Sequence, residues 1–170
     1  NATGLSASFL SNIDDLMAKA NTYRMSVYFT FFNGNDLKDQ FGKVLPSGAT
    51  IKNFVNDSTA RTAVLNNVIG TFATRYKNNT AVFGYDLINE SNIGADNGGY
   101  TWANMRTFGQ QAASKIHSVA PGTQVTMSTQ WLQAFDPGNF SGSYGGLGFD
   151  FYDMHSYVDS PNLENVSSMG

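Results

Sequence analysis

Apolar positions recur along the chain with two alternating periods. Phe9, Leu10, Ile13, Leu16, Met17 and Ala20 keep helical spacing and predict a first helix. A β-rich run at 27–32 follows and is stopped by Asn33-Gly34-Asn35-Asp36. A long polar loop then runs through Pro46-Ser47-Gly48. Asp57 or Ser58 caps a second helix, whose stripe is Ala60, Val64, Val68, Phe72 and Tyr76 with Leu65 and Ile69 beside it. Asn78-Asn79 ends that helix, and a second strand is expected at 81–88. A Gly/Asn-rich loop over 92–99 leads to a third helix, with Thr101 as cap and Trp102, Met105, Ala112, Ala113 and Ile116 as its buried face. Pro121-Gly122 breaks it. A third strand at 124–128, a Gly/Ser-rich loop at 136–148 and a fourth strand at 149–154 complete the pattern.

Strands alternating with helices imply parallel strands joined by right-handed crossovers. The connections after strands are long, whereas the returns from helix to strand, Asn78-Asn79-Thr80 and Pro121-Gly122-Thr123, are tight. In parallel α/β folds function gathers at the carboxyl ends of strands, where the long loops are. Of the two folds with this rhythm, an open doubly wound sheet usually carries a Gly-x-Gly-x-x-Gly turn after its first strand. Residues 33–36 lack that spacing, and no Walker-type loop occurs. The other fold is the (β/α)8 barrel, whose eight units take about 250 residues. The chain is therefore expected to be a partial (β/α)8 TIM barrel, with about four parallel strands and intervening helices.

Composition narrows the chemistry. Ten Lys+Arg against 13 Asp+Glu give a net charge of −3, which argues against a nucleic-acid partner. At 41% hydrophobic and 14% charged residues, the chain buries surface. No apolar run approaches the span of a bilayer, and Asn1-Ala2-Thr3-Gly4 shows no basic region leading into an apolar stretch. There is no cysteine, and two histidines leave little material for a metal centre, so neither metal nor cofactor is expected. Asp supplies eleven of the acidic residues and Glu only two, Glu90 and Glu164.

Glu90 sits where function is expected, at the end of the second strand in Asp86-Leu87-Ile88-Asn89-Glu90-Ser91. Period-2 alternation places Gly84, Asp86, Ile88 and Glu90 on one face and Phe83, Tyr85, Leu87 and Asn89 on the other. A carboxyl at the mouth of an apolar barrel loses part of its hydration, the setting in which carboxylic acids serve as general acids near neutral pH. The pattern alone leaves a second reading open, with Glu90 capping the next turn and Asn89 satisfying loop backbone. In Tyr152-Asp153-Met154-His155-Ser156-Tyr157, His155 and Tyr157 are two apart and share a face at the strand's carboxyl end. They could bond a carboxylate and a sugar hydroxyl, or His155 could be held in a polar core. His117 reads as a solvated or helix-end residue. Trp131, directly after the third predicted strand, is the best placed aromatic for stacking on a bound substrate. Phe135, Tyr100 and Tyr144 also lie in or beside the long loops, and Trp102 reads as helix core.

The run from Val82 to Glu90 resembles the fourth barrel strand of the clan of retaining glycoside hydrolases known as GH-A, an apolar strand ending in Asn-Glu. The run from Phe149 to Tyr157 resembles the sixth strand of the cellulase and mannanase-like family five within that clan, with its His-x-Tyr ending. The resemblance spans nearly the whole chain. It implies that residues 1–170 are the central part of one TIM-barrel catalytic domain, strands three to six, with N- and C-terminal parts missing. It implies roles as well: Glu90 as general acid/base, Asn89 holding the sugar 2-hydroxyl, His155 binding substrate, and Tyr157 bonding the nucleophile. Two positions depart from it. Family members often carry a His near the end of the third strand, where this chain has Asn33, Asn35 and Asp36, and Ser91 stands where the clan usually has Pro.

Retaining hydrolysis needs a second carboxylate about 5–5.5 Å from the first. In the clan this is a Glu at the end of strand seven. Glu164, just after strand six, is poorly placed for that role and reads as a solvated helix-start residue. The nucleophile is therefore expected outside this segment, in the remaining barrel segments of the same protein, and the segment alone is expected to be inactive. The expected enzyme is an endo-acting hydrolase of β-linked glycan, mannan- or cellulose-like, secreted or at the cell surface, with a polysaccharide or oligosaccharide substrate. Asn-x-Ser/Thr sequons at Asn1, Asn56, Asn78, Asn89, Asn139 and Asn165 are compatible with secretion. The alternative is a non-catalytic carbohydrate-binding or structural surface protein with a degenerate barrel.

Overall fold

The computed structural model describes residues 3–44, 48, 50–130 and 137–155. Helix α1 (Ala7–Tyr23) starts where the Ser6 hydroxyl accepts the Phe9 N–H and ends at Arg24 in the left-handed region. Strand β1 (Val27–Thr30) leads to a short helix α2 (Gly34–Gln40). Helix α3 (Ser58–Val64) begins at Asp57, whose carboxylate accepts the Ala60 N–H at 2.7 Å. It runs without a break through a π-helical turn, Leu65–Gly70, into α4 (Thr71–Tyr76). Strand β2 (Val82–Asp86), helix α5 (Ser91–Asp96), helix α6 (Trp102–Val119, capped by Thr101), strand β3 (Gln124–Thr126) and helix α7 (Pro137–Ser143) follow.

The strands form one parallel sheet in the order β1-β2-β3, as the alternation predicts. Val27 pairs with Val82 and Tyr28 with Gly84, so β2 carries one extra residue at Phe83. This bulge corrects the simple face assignment. Phe83 does not share a side with Tyr85: it packs edge-on against Tyr28 (6.0 Å) and beside Phe151 (5.9 Å). Tyr85 packs with Phe29, Phe31 and Phe72.

The expected fourth strand at 149–154 is reduced to a single parallel bridge, Thr129 to Met154. Ladder-like bonds do run along it: Asp150 N–H to the Val125 carbonyl, Thr129 N–H to Asp153, and His155 N–H to Thr129. The Asp150 side chain, however, takes the Val125 N–H at 2.8 Å, a donor that a continuous strand would have paired with a carbonyl. The three long loops are corrected too. Each holds a short helix, α2, α5 or α7, of six or seven residues.

The core lies between the sheet and its helices. Phe72 of α4 meets Phe29 at 5.0 Å and Phe31 at 5.5 Å, while Phe108 of α6 meets Phe54 at 5.4 Å. Met105, Phe108, Ala112, Ala113 and Ile116 of α6 are fully buried, and Trp102 is half-buried, edge-on to Tyr144. By contrast, Tyr28 and Phe83 remain 37% and 49% exposed. Among the described residues, the side of the sheet that carries them is largely uncovered. Among the described residues no helix is long and apolar enough to cross a membrane.

Candidate active site

Beyond the last ladder pair, β1, β2 and β3 continue as loops that remain bonded to each other. Asn89 is bridged to Asn33: its N–H donates to the Phe32 carbonyl, and its carbonyl accepts the Gly34 N–H, both at 2.8 Å. A side chain at Gly34 would overlap the Glu90 carbonyl, so only glycine lets the first loop lie this close to the second. Glu90 follows, 6% exposed, with φ 49° and ψ 50°. Left-handed backbone at a non-glycine residue costs about 1–2 kcal/mol and persists only where surrounding contacts enforce it.

Those contacts centre on Ser128, which is fully buried just past β3. Its hydroxyl accepts the Glu90 N–H at 3.0 Å, and its carbonyl accepts both the N–H and the hydroxyl of Ser91, each at 3.0 Å. Ser128 is held in turn by Asp86: its N–H donates to Oδ1 at 3.0 Å and its hydroxyl to Oδ2 at 2.9 Å. Asp86 is 1% exposed, and burial pushes its pKa up to about 6 despite those two hydrogen bonds.

The Glu90 carboxylate meets His155, whose Nδ1 lies 3.1 Å from Oε1. His155 Nε2 is 3.9 Å from Asp153 Oδ2, the oxygen that also accepts the Tyr28 hydroxyl at 3.2 Å. Burial, then the charges of Asp86 and Asp153, push the Tyr28 phenol far up, so it remains a donor. The result is a rim of alternating carboxylate and donor groups, Glu90–His155–Asp153–Tyr28, above the exposed rings of Tyr28 and Phe83. Glu90 also stands at the N-cap position of α5, where its carbonyl accepts the Ile93 N–H at 3.0 Å while its side chain makes no capping bond.

The structure thus brings together Glu90, Asn89 and His155. Tyr157, Trp131, Phe135 and Glu164 lie outside the described residues. Tyr100 and Tyr144 are buried rather than presented in loops. The Tyr100 hydroxyl donates to the Ser91 carbonyl at 2.6 Å, and the Tyr144 hydroxyl pairs with that of Ser91 at 2.7 Å. His117 bonds Asp150 at 3.0 Å near the end of α6. Sequence reasoning missed Ser128, Asp153 and Tyr28. Ser128 lies in an unremarkable Met-Ser-Thr run, but Tyr28 and Asp153 each sit on a predicted strand, where polar groups on an inward face are a usable signal. No group of three or more His, Cys, Asp or Glu side chains placed to hold a metal ion occurs among the described residues.

The sequence matches the model of the cellulase family, glycosyl hydrolase family 5, over residues 7–168. The chain belongs to that family. Its fold is shared with solved structures of mannanases. The β-mannanase of the blue mussel Mytilus edulis superposes with a TM-score of 0.68 at 18% identity, over 94% of this chain and 53% of that one. The β-1,4-mannanase of the common sea hare Aplysia kurodai gives 0.66 at 20%, over 92% and 53%. The β-1,4-D-mannanase of Cryptopygus antarcticus gives 0.67 at 17%, over 93% and 51%. The chain therefore spans about half the length of these structures. Among curated proteins, none matches it.

For this family 5 chain the two departures from the clan pattern have structural accounts. Ser91, in the place usually held by Pro, supplies an N–H and a hydroxyl to Ser128, and a proline has neither. Asn33, where a His is common, spends its side-chain oxygen on the Asn35 N–H at 2.9 Å, capping α2.

Proposed function

We propose that this chain forms the central part, barrel strands three to six, of a retaining glycoside hydrolase. Its substrate would be a β-linked glycan, mannan- or cellulose-like. The observation that carries this reading is the Glu90 carboxylate, buried at the carboxyl end of the central parallel strand and 3.1 Å from His155 Nδ1. Family membership and the mannanases whose structures share the fold support the substrate class.

In the first step Glu90 gives its proton to the departing glycosidic oxygen, while a second carboxylate attacks the anomeric carbon and forms a covalent glycosyl-enzyme. In the second step Glu90 takes a proton from water, which displaces that carboxylate. His155, as donor to Oε1, orients the carboxyl, and its ring edge is placed to meet a sugar hydroxyl. Asn89 holds the 2-hydroxyl, Tyr157 bonds the nucleophile, and Trp131 stacks on a sugar face. The nucleophile comes from the remaining barrel segments of the same protein, which also close over the exposed aromatic side of the sheet. Attack is internal to the polymer, and the site of action is outside the cell or at its surface, where such polymers occur.

The test is hydrolysis of mannan and cellulose panels by the full-length protein and by Glu90→Gln. The variant is expected to lose about 10²–10⁴-fold in kcat, and the 170-residue segment alone to show no turnover. A Glu90→Gln enzyme as fast as wild type would refute the acid/base role. Glycan binding by wild type with no turnover of any panel member would favour a non-catalytic surface protein instead.

A further inference from the structure

We infer that Ser128, clamped by Asp86, is the positioning residue that holds Glu90 in its working geometry. The inference rests on the acid/base reading of Glu90 and goes beyond it, because neither residue touches the proposed reacting atoms. The geometry is specific. Every polar group of Ser128 is engaged, and every partner lies on the β2 side. The N–H and the hydroxyl are donated to the two oxygens of Asp86, at 3.0 and 2.9 Å. With its proton committed to Asp86, the hydroxyl has only lone pairs left, and one of these faces the Glu90 N–H at 3.0 Å. The carbonyl receives both donors of Ser91. Glu90, through its N–H, and Ser91, through both its donors, are thus tied to one buried residue of the neighbouring loop, the first to its hydroxyl and the second to its carbonyl.

Ionised Asp86 is the arrangement's weak point. A carboxylate accepts from both donors, whereas a protonated carboxyl offers a proton of its own and competes with the Ser128 hydroxyl for direction. Burial makes ionisation of Asp86 difficult, with a pKa of about 6, so the clamp is set near neutral pH and slackens below it. The other groups facing Asp86 are Tyr28, Tyr144, Asp153 and His155. The Asp86 variant therefore has to be compared with wild type across pH.

The experiment uses the full-length protein as wild type, Ser128→Ala, Ser128→Thr, Asp86→Asn and Glu90→Gln. Substrates are soluble β-mannan (carboxymethyl cellulose if mannan is not cut) and a 2,4-dinitrophenyl β-glycoside, whose leaving group departs without a proton. Ser128→Ala is expected to lose about ten- to a hundredfold in kcat on polymer, the scale of a small misplacement, with KM within about threefold. The burst of dinitrophenolate should survive while the following steady rate falls, since only the steps using Glu90 are damaged. Ser128→Thr keeps the hydroxyl and should restore most of kcat. In wild type kcat/KM should show an acid limb with an apparent pKa close to 6, and Asp86→Asn should move or remove it.

Ser128→Ala and Asp86→Asn matching wild type on polymer, while Glu90→Gln is crippled, would overturn the inference. Loss of burst and steady rate together in Ser128→Ala would do the same, because it marks a general structural role. If Ser128→Ala does not fold, Asp86→Asn decides. If neither folds, a wild-type profile without an acid limb between about pH 5 and 7 counts against the clamp. A fully active Glu90→Gln would instead refute the function on which the clamp depends.

Discussion

Asp86 carries the main pH dependence that a single residue contributes here. Its pKa rises from 3.8 to about 6 because burial disfavours the charged form. Between those values the folded state binds more protons than the unfolded one, so stability falls as pH rises through the window. The shift makes ionising Asp86 about 3 kcal/mol harder in the folded chain than in the unfolded one, at 1.36 kcal/mol per unit. Asp14 has the opposite sign. Hydrogen bonds from Arg75 and Tyr76 lower it to about 2, so its contribution is present above the ordinary carboxylate range and is lost only as pH falls toward 2. The two windows do not overlap. Urea midpoints of the full-length protein at pH 4, 5 and 6 should therefore fall in wild type, and the difference from Asp86→Asn should shrink or reverse across the series. A difference independent of pH would mean that Asp86 titrates normally.

At the scale of elements, legibility followed length. Helices α1 and α6, with 17 and 18 residues, show several apolar turns each and were readable from spacing alone. Helices α2, α5 and α7 contain sequences such as Ser-Asn-Ile-Gly-Ala-Asp, too short and polar to show a period. The π turn was hidden because Val64, Val68 and Phe72 keep four-residue spacing across it. The Phe83 bulge was hidden because nothing in an apolar run marks an extra residue. Glu90 was legible as a rare residue at a strand's end; Ser128 was not, since its role depends on how two loops align. The shortened fourth strand depends on one side chain. Asp150 accepts the Val125 N–H at 2.8 Å and also bonds His117. Asp150→Ala should leave a buried donor without its acceptor and cost roughly 1–3 kcal/mol. Faster amide exchange at Val125, read by mass spectrometry or NMR, should accompany that loss. Unchanged exchange would show that another acceptor replaces the carboxylate.

For the molecule as a whole, the central physical problem is that the described residues leave one side of the sheet open. Tyr28, Phe83 and Phe151 form a contacting aromatic group beneath the Glu90 rim, and the first two are substantially exposed. Exposed contiguous aromatics weaken solubility and mark surfaces that something else covers. In the proposed enzyme the covering is the rest of the barrel, so these rings become interior and the carboxylate above them is shielded from bulk water. The two states differ in energy enough to be told apart. A half-exposed Phe contributes modestly to stability, whereas truncating a fully buried one costs about 3–5 kcal/mol. Phe83→Ala in the full-length protein should therefore lower the urea midpoint by an amount in the upper range. Its effect on catalysis should stay small, because the ring lies on the floor and not at the reacting bond. A stability change of only a few tenths of a kcal/mol would mean that the face stays open in the full-length protein. Glu90 would then work in a solvated cleft instead of a closed barrel mouth.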